Sequence, residues 1–315
     1  MLYKELAGGG VMVLEQYQDI WVKGSLLKPG VRECASRWEI VKSVAERWKR
    51  PFTVLDIGAN LGYFSLRIAE EFDCTVVAME GVYSSWLEEI LKWNNNPRVI
   101  LLKGLFRLAD FKLLSEIEHF DLVLALSVMH HIGEYKETLS TLRGLGDVLV
   151  AEIATEDNAC GQEYVKQGKV PEDAKILGYG ESHLSGPARP IFCTEQKRTT
   201  LSRSYFGTPL TDIDLKIESD YEKKIAIQRG RERPWYRGIN LRTFLSSGGV
   251  YPSRDHIVEL CKQARPKETH GDLKIHNTIL QGDAVKYIDE LDPRRFVEND
   301  EETFNAMIRE LEDMK

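Results

Sequence analysis

Apolar runs and amphipathic patterns alternate along the first 153 residues of the chain. In residues 32–48 the apolar side chains recur every three or four positions, which predicts an amphipathic helix that ends before Pro51. Five strand-like runs then alternate with helical patterns, namely residues 53–57, 75–79, 99–103, 122–127 and 147–153. Strands separated by helices form right-handed βαβ units, so the pattern predicts an α/β fold with a doubly wound, mainly parallel sheet.

This alternation ends after Ile153. Residues 155–205 begin with a long polar stretch, which is typical of a lid or an insertion. We therefore expect a first domain over residues 1–210, with this insertion inside it, and a small second module over residues 211–315. A closing amphipathic helix is predicted by apolar side chains at helical spacing, namely Phe304, Met307, Ile308 and Leu311.

Composition narrows the possible partners of the chain. A formal charge of −7 argues against a general polyanion binder, so no nucleic-acid partner is expected, although residues 189–242 hold 12 basic against 7 acidic residues. The five cysteines are scattered without a Cys-x-x-Cys pair, which indicates neither a zinc site nor a disulfide framework. The chain shows no apolar run of about 18 residues and no signal-peptide pattern, so we expect a cytoplasmic protein without a transmembrane segment. The oligomeric state stays open.

The first predicted strand runs into an unusual turn. Residues 54–65 read Val-Leu-Asp-Ile-Gly-Ala-Asn-Leu-Gly-Tyr-Phe-Ser, with Asp56 at the strand end and Gly58 and Gly62 in the turn. Because glycine has no Cβ, the backbone can pass close to a ligand there, and the following helix presents free N–H groups. The Gly-x-Gly-x-x-Gly pattern of dinucleotide sites is absent. Asp56 would repel a pyrophosphate but suits a zwitterionic methionine group.

A second carboxylate, Glu80, supports a nucleotide-type site. Glu80 ends the second apolar run and lies 22 residues after Gly58, the interval at which α/β nucleotide sites place a carboxylate on the ribose hydroxyls. The strand, turn and helix with these two acids resemble the first motif of class I S-adenosylmethionine (SAM) methyltransferases. This resemblance implies SAM as the cofactor and a methyl-transfer activity.

Other segments resemble a narrower family, the WbdD-type methyltransferase–kinases that cap bacterial O-antigen polysaccharides. These segments are residues 126–132, residues 183–190, Tyr17 with Gln18, and the helix start from Arg32 to Arg37. The resemblance implies that the N-terminal residues close over the cofactor and that Arg37 pairs with the methionine carboxylate. The full set of implied cofactor-binding residues is Tyr17, Gln18, Arg37, Asp56, Gly58, Ala59, Asn60, Gly62, Glu80, Gly81, Gly104, Leu105 and Leu126.

Candidate catalytic residues follow from the chemistry of the acceptor. Transfer to a neutral acceptor needs a base, and histidine is the usual one near neutral pH. His130 and His131 follow the fourth predicted strand, at the edge where open α/β sheets bind ligands, and His183 lies in the expected insertion. A phosphate acceptor, as the family implies, needs cationic clamps instead of a strong base. The candidate clamps are Arg189, Lys197, Arg198 and Arg203.

A C-terminal segment resembles another class of enzyme. Residues 270–280 and 287–289 are similar to the catalytic loop and metal-binding strand of kinase-like proteins, in which Asp272 would accept a proton and Asn277 and Asp289 would hold Mg²⁺. A Gly-rich loop and a Val-Ala-x-Lys strand are missing, and Glu-Leu stands where Phe-Gly would follow Asp289. About 105 residues are also too few for two kinase lobes. We therefore expect a truncated remnant without kinase activity.

These features predict a SAM-dependent O-methyltransferase whose acceptor is a sugar, a phosphosugar or the end of a glycan. Two alternatives stay open: a methyltransferase of small-molecule natural products, and a non-catalytic protein that binds SAM only for structure. A nucleic-acid methyltransferase is disfavoured by the charge. It is also disfavoured because Ser-Val-Met-His-His stands where an Asn/Asp-Pro-Pro-Tyr signature would follow the fourth strand.

Overall fold

The computed structural model describes residues 2–5, 11–14, 16–49, 51–154, 169–181, 187–196, 238–265, 273, 275, 278–281, 284–287 and 300–313. The strands in these ranges are β1 Leu2–Glu5, β2 Val11–Leu14, β3 Ile20–Val22, β4 Ser25–Lys28, β5 Phe52–Ile57, β6 Cys74–Glu80, β7 Val99–Lys103, β8 Phe120–Leu126, β9 Gly146–Glu152, β10 Lys175–Gly180, β11 Arg189–Glu195, β12 Ile239–Asn240, β13 Gly249–Tyr251, β14 Thr278–Leu280 and β15 Val285–Tyr287. The helices are α1 Ala35–Ala45, α2 Tyr63–Glu71, α3 Ser84–Asn94, α4 Leu108–Ile117, α5 Tyr135–Gly144, α6 Leu241–Ser246, α7 Arg254–Gln263 and α8 Asp300–Asp313.

The main sheet has eight strands in the order β10-β11-β9-β8-β5-β6-β7-β13. The five strands from β9 to β7 run parallel, whereas β11 is antiparallel to both of its neighbours and β13 is antiparallel to β7. This topology confirms the predicted α/β class and the five predicted parallel strands. The chain order reverses between β5 and β8, so the ligand crevice of such a sheet is expected at the carboxyl ends of these strands.

The strands of the sheet are buried on both faces because helices cover both sides. Val54 of β5 packs in one core with residues of α1, α2 and α3, and Leu55 packs in the other core with residues of α4 and α5. Both side chains have no exposed surface. Successive side chains of a strand point to opposite faces, which explains why these strands read as continuous apolar runs and not as alternating ones.

The described part of the C-terminal region packs against the main sheet and its helices. β12, β14 and β15 form a separate three-stranded sheet, whereas β13 extends the main sheet at the β7 edge. Leu241 and Phe244 of α6 share a core with Phe111 of α4, and the backbone N–H of Lys103 donates to the carbonyl of Gly248 at 2.8 Å. The predicted closing helix is confirmed as α8. The predicted boundary at residues 210 and 211 lies outside the described residues and stays a prediction.

An N-terminal hairpin, β3 with β4, packs against helix α2 and was not predicted from the sequence. The guanidinium of Arg67 lies 4.5 Å from the ring centres of both Trp21 and Trp38. The indole N–H of Trp21 donates to the carboxylate of Glu70 at 2.6 Å. These cation–π and hydrogen-bonding contacts hold the hairpin against the helix that begins at the glycine turn.

Several sequence predictions concern residues outside this description. Within the predicted insertion, β10 and β11 are strands of the main sheet, and residues 155–168, 182–186 and 197–205 lie outside the described residues. The same holds for His183, Lys197, Arg198 and Arg203, and for Asp272, Asn277 and Asp289 of the kinase-like segment. Across the ranges given above, none of the helices combines the length and the apolar character that crossing a bilayer requires.

Candidate functional site

The turn between β5 and α2 forms the floor of the site. Gly58 and Gly62 have φ of +69° and +80°, and Asn60 between them has φ of +56°. The N–H groups of Gly58 and Ala59 donate to the carbonyl of Met79 at 2.9 and 3.1 Å, which ties the turn to the end of β6. A Cβ on Gly58 would lie 2.7 Å from Cγ2 of Val128, so the left-handed backbone and the close approach both require glycine here.

Glu80, the last residue of β6, organises the two turns beside it. One carboxylate oxygen accepts the Asn60 N–H at 2.7 Å, and the other accepts the Tyr83 N–H at 3.0 Å. Glu80 is 6% exposed, and burial raises the pKa of its carboxyl, against the effect of these N–H donors. The backbone N–H groups of Gly81 and Val82 also interact with this carboxylate, so both turns hold it in place.

Asp56 supports the start of helix α2. Its side chain is 3% exposed and accepts the hydroxyl proton of Ser65 at 2.6 Å. Burial raises the pKa of the Asp56 carboxyl to about 6, and the hydrogen bond from Ser65 opposes this shift. The predicted contact of Asp56 with a methionine group stays a prediction, since this geometry directs one of its oxygens to the helix.

We expect the Asp56→Asn variant to gain stability relative to wild type as the pH rises. Between about pH 4 and pH 6 the unfolded aspartate loses its proton while the folded one keeps it, so wild-type stability falls with rising pH. The penalty for the buried charge reaches about 3 kcal/mol above the folded pKa of about 6, and the amide, which still accepts from Ser65, avoids it. Urea unfolding of the ligand-free protein from pH 4 to pH 7.5 measures this difference.

The exposed aspartate Asp73 provides the control for the change in net charge, as Asp73→Asn. A stability difference between wild type and Asp56→Asn that stays constant over this pH range would contradict a raised pKa at Asp56.

The turns after β6 and β7 meet beside Glu80. The Gly104 N–H donates to the Glu80 carbonyl at 3.0 Å, and a Cβ on Gly81 would lie 2.5 Å from Cδ2 of Leu105. Leu105 is 78% exposed and Val82 is 59% exposed. These exposed apolar side chains lie at the carboxyl edge of the sheet, and the predicted contacts of Gly81, Gly104 and Leu105 with the cofactor stay predictions.

The N-terminal candidates lie at this same edge of the sheet. Gln18 accepts the N–H of Tyr63, the first residue of α2, at 3.4 Å. The Tyr17 hydroxyl accepts a hydrogen bond from the guanidinium of Arg32. Arg37 donates to the carbonyl of Glu33 at 3.0 Å and lies over the ring of Phe64, 5.3 Å from its centre. The structure therefore brings Tyr17, Gln18 and Arg37 to the carboxyl edge near the glycine turn.

Three residues of this edge were missed as site residues by the sequence reasoning. Glu152 ends β9 and is 1% exposed; its carboxylate forms an ion pair with Arg32 and lies 3.6 Å from Nη1 of Arg37. Ser127 follows Leu126 with φ of +58°, donates to Glu152 at 2.8 Å and accepts from Arg32 and Arg189 at 2.9 Å each. The sequence carries no local signal for this cluster, since the left-handed backbone of Ser127 is visible only in the structure.

The histidine pair follows on a single 3-10 turn, Met129–His131. The ring centres of His130 and His131 lie 3.9 Å apart, and burial lowers the pKa of His131. A histidine with a lowered pKa is neutral at pH 7 and can accept a proton. No group of three or more histidine, cysteine, aspartate or glutamate side chains is placed to hold a metal ion within the described ranges.

Comparisons with known proteins agree with the predicted resemblance. No family model matches the chain. Two Escherichia coli proteins named "O-antigen chain terminator bifunctional methyltransferase/kinase WbdD" are 25% identical over 211 residues and 24% identical over 214 residues. Each match covers 60% of this chain and 29% of the relative, so the chain spans less than a third of the curated relatives that it matches.

The solved structures that are similar to this chain include those of two proteins, WbdD and EvdMO1. A crystal structure of WbdD is 18% identical with a TM-score of 0.45, and the match covers 90% of this chain and 81% of that one. The N-terminal domain of EvdMO1, crystallised with S-adenosylhomocysteine (SAH) and D-fucose, is 13% identical with a TM-score of 0.42, over 58% of this chain and 91% of that one. The sequence similarity to the two WbdD proteins confirms the likeness to WbdD-type methyltransferase–kinases that the motifs predict.

Proposed function

We propose that this chain is a SAM-dependent O-methyltransferase that acts on a sugar, a phosphosugar or the end of a glycan. The observation that carries the proposal is the set of groups around one crevice. Glu80, the glycine turn and the buried guanidiniums of Arg32 and Arg37 all lie at the carboxyl edge, on either side of the point where the strand order reverses.

The residues at this edge would contact the ribose, the adenine and the methionine carboxylate of SAM. Glu80 would accept the ribose hydroxyls, and Leu105 with Val82 would cover the adenine. The methionine carboxylate would pair with a guanidinium, and Arg32 supports this because its Nε is buried and without a hydrogen-bond partner among the described residues. When bound, SAM would supply a methyl group on a positively charged sulfur, ready for in-line displacement.

The protein must hold the acceptor atom in line with the methyl group, and it must either neutralise a negative charge on the acceptor or remove its proton. Arg189 is 2% exposed and lies on Ser127, so a phosphate or other oxyanion of the acceptor would find a cation at this edge. A hydroxyl acceptor would need a base, and His131, on the turn after β8, is the candidate, because partial desolvation lowers the pKa of its imidazole and a neutral imidazole can accept a proton. The roles of His130 and His183 stay predictions.

The names of the sequence relatives support a glycan-related acceptor. They describe an O-antigen chain terminator with methyltransferase and kinase activities. We infer that this chain carries the methyltransferase part and that its C-terminal segment is a kinase-like remnant, with no residual phosphotransfer.

The test begins with calorimetric titration of the full chain with SAM and SAH, followed by release of SAH from SAM in the presence of sugars, sugar phosphates and glycan fragments. We expect micromolar binding of both nucleosides and turnover with at least one glycan-related acceptor. Binding without turnover on any acceptor would favour the non-catalytic alternative. Absence of binding would overturn the cofactor assignment itself.

A further inference from the structure

We infer that Glu152 and Ser127 are positioning residues that hold Arg32 and Arg37 as a paired clamp for the carboxylate of the cofactor's amino-acid part. This inference rests on the proposed function and adds two positioning residues to it, Ser127 and Glu152.

Glu152 joins two cations that come from different parts of the chain. One carboxylate oxygen pairs with Arg32, in the loop before α1, and the other lies 3.6 Å from Arg37, on the first turn of α1. All three side chains are at most 2% exposed. Buried charges are tolerated only when they are paired and hydrogen-bonded. Glu152 therefore offsets the cost of burying both guanidiniums.

Ser127 fixes the orientation of the same group. Its hydroxyl donates to Glu152 at 2.8 Å and accepts from Arg32 at 2.9 Å, so it bridges the acid and one of the bases. The residue keeps φ of +58°, a conformation that costs a non-glycine residue free energy and that persists only when its surroundings require it. The strained backbone therefore places the hydroxyl where the charged pair needs it.

The surroundings of the cluster exclude water on one side. A Cβ on Gly180, at the end of β10, would lie 2.5 Å from the Glu152 carboxylate and 3.2 Å from Cδ of Arg37, so the strand packs directly on the pair. The ring of Phe64 lies beneath the Arg37 guanidinium, 5.3 Å from it. Electrostatic interactions are stronger in such a dry setting than at the surface.

The charges of Arg32, Arg37 and Glu152 do not balance. Two buried guanidiniums share one buried carboxylate, since Glu33, the other acid that interacts with Arg37, is exposed. The buried Nε of Arg32 has no hydrogen-bond partner among the described residues. A monoanion would complete this arrangement, and a planar carboxylate matches the fork of a guanidinium. Under the proposed function, the amino-acid carboxylate of the cofactor is a planar monoanion of this kind, whereas the oxyanion of an acceptor is assigned to Arg189.

The test compares two nucleosides that differ only in the part facing the clamp. SAH carries the amino acid, whereas 5′-methylthioadenosine has the same adenosine and thioether without it. Wild type is expected to bind SAH more tightly than methylthioadenosine. In Ser127→Ala and in Glu152→Gln this preference should shrink by about tenfold, the effect of one charge-assisted hydrogen bond, while the affinity for methylthioadenosine changes little.

Asp121→Asn is the matched control, because Asp121 is a buried carboxylate at the opposite end of the same sheet, where it accepts the Thr53 N–H at 2.8 Å. It should lower stability and leave the preference for SAH intact. An unchanged preference in both clamp variants, or a wild type that binds both nucleosides equally, would overturn the inference while the cofactor site stands. If both clamp variants fail to fold, their role is purely structural and the inference is also overturned. A wild type that binds neither nucleoside would instead overturn the proposed function.

Discussion

The Glu80→Ala variant is expected to bind SAM and SAH at least about a hundredfold more weakly than wild type. The carboxylate has two tasks, since it would accept the ribose hydroxyls and it also accepts the backbone N–H groups of Asn60 and Tyr83. Removing it leaves these donors near the crevice without their partner, so the glycine turn loses its shape along with the ribose contact. Hydrogen bonds to a charged group contribute about 1.5–3 kcal/mol each. The loss of two such bonds to the ribose hydroxyls therefore lowers the affinity about a hundredfold or more.

Calorimetric titration with SAH measures this effect, and two variants separate its causes. Glu80→Gln keeps one acceptor oxygen and should lose less affinity than Glu80→Ala. Asp121→Asn removes a buried carboxylate away from the crevice and should bind SAH as wild type does. If Glu80→Ala binds SAH with wild-type affinity, the carboxylate is an ordinary strand-ending acid and does not hold the ribose.

The Arg189→Ala variant is expected to lose about a hundredfold in kcat/KM for the methyl acceptor while it keeps its affinity for SAH. Arg189 begins β11, is 2% exposed and contacts the cluster through the hydroxyl of Ser127 at 2.9 Å. A buried guanidinium that binds an oxyanion of the acceptor would act mainly on the transition state, and the loss of one such donor costs roughly this much. The variant leaves Ser127 bonded to Arg32 and Glu152, so the cofactor clamp should persist.

Arg98→Ala is the matched control, because Arg98 is a half-buried arginine that donates to the carbonyl of Phe72, just before β6 begins at the amino edge. It should leave kcat/KM and SAH affinity near their wild-type values. Unchanged turnover in Arg189→Ala would exclude a cationic clamp on the acceptor, and His131 would then become the first residue to test as a base. A parallel loss of SAH affinity would place Arg189 on the cofactor side of the crevice.

The parallel strands and the glycine turn were predictable from the sequence because their signals are local. Continuous apolar runs such as residues 122–126 can be buried only between two layers of helices. The spacing of Gly58, Gly62 and Glu80 follows from the geometry of one βαβ unit. The closing helix at Phe304 was predictable for the same reason, since its apolar side chains recur at helical spacing.

The charged cluster could not be predicted because it depends on contacts between distant parts of the chain. Glu152 reads in the sequence as an acid at the end of a strand, yet its partner Arg32 lies 120 residues away. Ser127 carries no residue-type signal for a left-handed backbone, which glycine and asparagine favour. The hairpin β3–β4 was missed because its strands are short and because the contact of Trp21 with Arg67 depends on helix α2, a distant part of the chain.

The pairing of β13 with β7 gives the C-terminal region a purpose that is independent of any kinase chemistry. Gly248, with φ of +78°, approaches the Lys103 carbonyl so closely that a Cβ would lie 2.5 Å from it, and β13 then covers the outer edge of β7. Uncovered edge strands invite pairing with other chains, and a shortened chain that stops at residue 210 would leave this edge open. The C-terminal region can therefore protect the main sheet from pairing with other chains, whether or not it carries out any kinase chemistry.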